Sequence, residues 1–118
     1  NTVSVINSLA AGGPKVVANV TVGSNPGGVA LTNDGLLAFV TNTGDGTVSV
    51  IDTITLKEID LDPTREGMDR IRLPVGAQPW YIAVHPAKNE QRMFIADRAR
   101  PVVYEISTNL FNVNRFAS

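Results

Sequence analysis

The feature that most constrains this chain is that it repeats itself. Residues 1–7, NTVSVIN, return as GTVSVID at 46–52, with Val3 and Val48 45 residues apart. The segment VGSNPGGVAL at 22–31 returns as VGAQPWYIAV at 75–84, with Pro26 and Pro79 53 residues apart. FVTN at 39–42 returns as FIAD at 94–97, and Ile51 returns as Ile106, both 55 residues on. A chain built this way buries each unit against its neighbours. The widening spacing marks two insertions, one between Asp52 and Val75 and a smaller one between Val84 and Phe94. Loops absorb insertions most readily, so both are expected between strands.

Each unit holds four short runs, in the best-preserved copy GGVALT, LLAFVTN, TVSVID and DRIRLPV. They are rich in Val, Ile, Leu and Phe and predict strands. Asp34-Gly35 and Asp45-Gly46 supply the positive φ that tight hairpins need. Pro26 and Pro79 open a run, where a missing N–H costs the ladder least. A unit of about 40–50 residues with four strands is the pattern of a propeller blade. The expected fold is all-β: four-stranded antiparallel meanders, ten strands in all, with Phe39 and Phe94 buried at equivalent positions.

The motifs VGSNPGGVALTNDG, AFVTN and NTVSVI/GTVSVID resemble the YVTN-type β-propeller repeat of surface-layer and secreted proteins. The match is nearly continuous over 15–53 and looser over 54–108, where FIAD stands for the name-giving four residues. The resemblance implies a binding or interaction scaffold that is extracellular, on the cell surface or periplasmic. Similar blades also build quinoprotein and haem-containing dehydrogenases, a nitrite reductase domain and lactonases, so a place in an enzyme is the alternative. Haem or quinone would be expected only there; otherwise no cofactor is. On the first reading the chain is not itself an enzyme.

Counting strands, residues 1–22 form the outer pair of one blade, 23–75 a second blade and 76–118 a third. About two and a half blades cannot close a ring. The expected partners are therefore the remaining blades or another subunit, and the 118 residues read as a piece of a longer chain. Alone, such a segment is expected to be poorly stable or self-associating.

Without cysteine the chain has neither disulfides nor thiolate metal sites. A net charge of −1 argues against nucleic acid as a partner, and no run is long enough for a helical membrane span. The surface is expected to be rich in Thr, Ser, Asn and Gly, and charges are sparse before Lys57, which suits a secreted protein.

Antiparallel connectivity sorts the loops by face. The segments 23–27, 41–46, 76–80 and 96–101 share one face, and the insertion at 57–70 is expected on the other. The shared face gathers Gln78, Trp80, Arg98 and Arg100 as the candidate binding group. Arginines beside an aromatic suit a carboxylate or other anion on a small molecule or protein partner. The plainer reading has Trp80 packed against a neighbouring blade and the arginines solvated.

Asp60, Asp62, Glu66 and Asp69 suggest calcium, but their spacing is not that of a calcium loop, so a solvated mixed-charge loop is expected. His85 is the single histidine and has no Cys or second His for zinc; it caps a turn or, under the enzyme alternative, ligates haem or a metal. No catalytic residues or metal site are expected. Asn19-Val-Thr21 matches the N-glycosylation acceptor pattern.

Overall fold

Short β-branched runs punctuated by turn residues give a structure made of strands and turns. The computed structural model describes residues 1–7, 11–87, 89–108, 111 and 113–117. Among them lie eleven strands and no helix. β1 (Thr2–Asn7) and β2 (Lys15–Thr21) form a two-stranded antiparallel sheet. A second sheet runs β3 (Pro26–Leu31), β4 (Leu37–Asn42), β5 (Thr47–Asp52), with β6 (Lys57–Glu58) and β7 (Ile71–Arg72) both on the outer edge of β5. The third runs β8 (Pro79–Val84), β9 (Arg92–Asp97), β10 (Val102–Ser107) and β11 (Val113–Ala117). All pairings are antiparallel, and the sheets stack as successive blades of a partial propeller.

Gly35 and Gly46 turn the β3–β4 and β4–β5 hairpins at φ 74° and 70°, where a Cβ would be strained. Strand alternation then makes the middle sheet apolar on both faces. Ala38, Val40 and Ile51 join Val20 and Val22, with Val3 and Val5 packed alongside. Phe39, Val48 and Val50 join Ile82, Met93, Ile95, Tyr104 and Ile106 of the third sheet. There is no single central core; each seam between sheets is one.

Three expectations change. The count is eleven strands because the fourth strand of the middle sheet is interrupted. Asp52 accepts amide hydrogens from Ile54 and Thr55, so the hairpin after β5 closes tightly and the outer strand starts at once with β6. The extra residues then loop out between β6 and β7, halfway along the sheet edge. The insertion therefore lies inside a strand, not on the opposite face. Its neck is tied by Arg70, which forks onto Glu58 at 2.6 and 2.9 Å, and by Asp60, whose Oδ1 accepts from the Asp62 and Asp69 amides. Phe94 has the register of Phe39, opposite Ala83 as Phe39 is opposite Ala30. It is only half-buried, against His85 and Arg92, because no described element covers that face of the third sheet.

Candidate functional site

The loops that connectivity predicts on one face meet there. In the middle sheet the Thr43 and Gly44 amides donate to the Asn25 and Ser24 carbonyls; in the third, the Arg98 amide donates to Gln78 at 2.8 Å. Between the two sheets these loops enclose a cleft of 760 Å³, lined by 43–47 and Arg72 of the middle sheet, by Gln78, Trp80 and Arg98 of the third, and by the 73–77 connection that joins them. That volume is in the range of small-ligand sites.

Both inner strands carry a bulge directly after their proline, at Gly27 in β3 and Trp80 in β8. The bulge in β8 turns two carbonyls toward the middle sheet. Thr43 donates to the Pro79 carbonyl at 2.5 Å and Thr41 to the Trp80 carbonyl at 2.9 Å. The Trp80 ring lies against Gly27, where an added Cβ would stand 2.7 Å from ring carbon Cε3. Any side chain at Gly27 would therefore displace the Trp80 ring. The Arg98 guanidinium sits 5.2 Å from the Trp80 ring centroid. The ring face attracts the guanidinium, whose N–H donors can still fork onto a carboxylate.

Gln78, Trp80 and Arg98 thus line one cleft, and Trp80 both packs against the preceding blade and stays 44% exposed. Arg100 does not join them. Its Nη2 donates to the Tyr104 hydroxyl at 2.9 Å and stands 3.5 Å from Asp97, behind the cleft wall. The carboxylate of Asp97 is the hub. Its Oδ1 accepts from the Ala99 and Arg100 amides, and its Oδ2 from the Gln78 amide and the Tyr104 hydroxyl. Burial alone would raise the Asp97 pKa, but these four donors outweigh it and hold the value at about 2. Burial, then the Asp97 partner, pushes the Tyr104 phenol up.

Sequence reasoning missed four residues. Asp97 replaces Asn42 of the preceding unit, whose amide donates to Ser49, the counterpart of Tyr104. The Asn-to-Asp exchange together with Ser-to-Tyr was the available signal. Thr41 and Thr43, the latch across the seam, have Ala96 and Arg98 as counterparts one repeat on. Arg72 lines the cleft because β7 completes the outer strand beside it.

The other candidates lie elsewhere. His85 is half-buried; its Nδ1 accepts from the Ala87 amide, and its carbonyl accepts from Asn33 of the middle sheet. Asn19 is exposed on β2 and accepts from the Ser4 hydroxyl. Among the described residues no group of three or more His, Cys, Asp or Glu is gathered for a metal. No described helix is long and apolar enough to cross a membrane.

No family model and no curated protein matches the chain. Among solved structures it is similar to a chain of Kuenenia stuttgartiensis hydrazine synthase, with 24% sequence identity and a TM-score of 0.71. The likeness covers 88% of this chain and 27% of that one, so the chain spans about a quarter of its length. At that identity the likeness is one of fold.

Proposed function

We propose that this chain is a segment of a YVTN-type propeller that serves as an extracellular, cell-surface or periplasmic binding scaffold, with its working site in the cleft between the second and third blades. The observation that carries the reading is the Arg98 guanidinium placed over the Trp80 ring, 5.2 Å from its centroid, at the wall of that cleft, with Gln78 also lining it. A guanidinium already placed against a ring loses less side-chain freedom when it binds a carboxylate. The ligand is an anionic small molecule or an acidic group of a protein partner.

The test is a map of backbone amide shifts in the full-length protein on adding N-acetylglutamate. Shifts centred on 43–46, 76–80 and 98 support the cleft. Shifts centred on 60–69 or 32–36 instead would move the site elsewhere.

A second reading has one observation in its favour, the fold likeness to a chain of hydrazine synthase. On it, the segment belongs to the propeller of a redox enzyme of the quinoprotein or haem-containing kind, or of a lactonase, and His85 is its candidate ligand. A visible absorption band of haem or quinone in the full-length protein would favour this reading.

A further inference from the structure

We infer that the cleft is a two-point site for a ligand bearing two carboxylates, with Arg72 as the second anion-binding arm; the inference rests on the binding-scaffold reading above. Six arginines have described side chains. Four are committed to carboxylates: Arg65 to Asp69, Arg70 to Glu58, Arg92 to Glu90 and Glu105, and Arg100 to Asp97. The guanidinium groups of the remaining two, Arg72 and Arg98, have no hydrogen-bond or ion-pair partner among the described residues, and both line this cleft.

The two come from different elements. Arg72 is exposed at the end of β7, and Arg98 stands in the β9–β10 turn on the far side of the 73–78 connection. Two like charges that share a cleft and lack a counter-ion repel each other, and a ligand that brings two anions relieves both. The cleft holds one carboxylate of its own, Asp45. Its Oδ2 accepts from the Ser24 amide at 2.8 Å, and the lining keeps a net positive charge. A volume of 760 Å³ has room for a ligand that spans both arms.

The ligand chemistry is a pair of carboxylates on a short frame, as in a small dicarboxylic acid or adjacent acidic residues of a polypeptide. N-acetylglutamate and N-acetylglutamine differ only in the second carboxylate and make a matched pair of probes. Calorimetric titration of the full-length protein should show N-acetylglutamate binding about tenfold or more tighter. Arg72→Gln should erase that advantage and leave N-acetylglutamine binding unchanged, whereas Arg98→Gln should weaken both. Arg72 is exposed and unbonded, so its substitution tests the site without testing the fold. Equal binding of the two probes, or an advantage that survives Arg72→Gln, would overturn the two-point site and leave the Arg98 site standing. Indifference of both probes to Arg98→Gln would overturn the binding reading itself. Adding acetyl-Glu-Glu-amide separates the two sources: tighter binding than N-acetylglutamate assigns the anions to a polypeptide, weaker binding to a small acid.

Discussion

Replacing Asp97 with Asn changes one oxygen to an NH2 group at the centre of the third blade. The Asp97 side chain has no exposed surface and receives four hydrogen bonds, two on each oxygen. An Asn could keep its oxygen on the Ala99 and Arg100 amides. Its NH2 would then face the Gln78 N–H and the Tyr104 hydroxyl, and two donors would meet. Two independent routes give the cost. The drop from 3.8 to about 2 in the folded state corresponds to about 2.4 kcal/mol, trimmed to about 1.5–2 for screening near the surface. Leaving one buried amide without an acceptor costs about 1–3 kcal/mol.

Because the folded pKa lies below the unfolded one, this stability is present above about pH 4 and is lost as pH falls toward about 2. Denaturant unfolding of the full-length protein should therefore put Asp97→Asn about 2 kcal/mol below the parent at neutral pH. The gap should narrow steadily on acidification. Tyr104→Phe should cost about 1 kcal/mol, and the double variant less than the sum of the two. A gap under about 0.5 kcal/mol at neutral pH, or one that does not change with acid, would refute the hub.

Three further outcomes follow from the seam and the insertion. Thr43→Val strands the buried Pro79 carbonyl and should cost about 1–2 kcal/mol in denaturant unfolding, with weaker N-acetylglutamate binding because the cleft wall shifts. Gly27→Ala drives a methyl into the Trp80 ring, so Trp80 fluorescence and Arg98-dependent binding should both change while the strand content seen by circular dichroism does not. Glu58→Ala leaves Arg70, 20% exposed, without its carboxylate and should cost about 2–3 kcal/mol, measured by thermal unfolding and compared with a near-silent Val75→Ser at a 98% exposed site.

Much of the fold was legible because its signals are local. Asp34-Gly35 and Asp45-Gly46 fix two hairpins, and period-two alternation fixes which of Phe39 and Val40 faces which neighbour. What was illegible depends on non-local contacts. Repeat spacing places the insertion somewhere between Asp52 and Val75 but cannot tell a loop from a strand that is left and rejoined; only the pairing of both β6 and β7 to β5 shows the second. Alternation gives the register of Phe94 but not whether a sheet covers it. In the site, Trp80 and Arg98 were visible as residue types on a predicted face. Arg100 looks identical in sequence, and only the Asp97–Tyr104 pair behind it decides that it is withdrawn from the cleft.

The central claim is that Arg98, held on Trp80 at the seam between two blades, is the group that meets an anionic ligand. The most direct measurement follows the indole N–H signal of Trp80 in the full-length protein, assigned by its loss in Trp80→Phe, as N-acetylglutamate is added. The account predicts a saturable shift that disappears in Arg98→Gln and survives in Asp60→Asn/Asp69→Asn. An unmoved Trp80 signal despite measurable binding, or a shift that persists without Arg98, would contradict it.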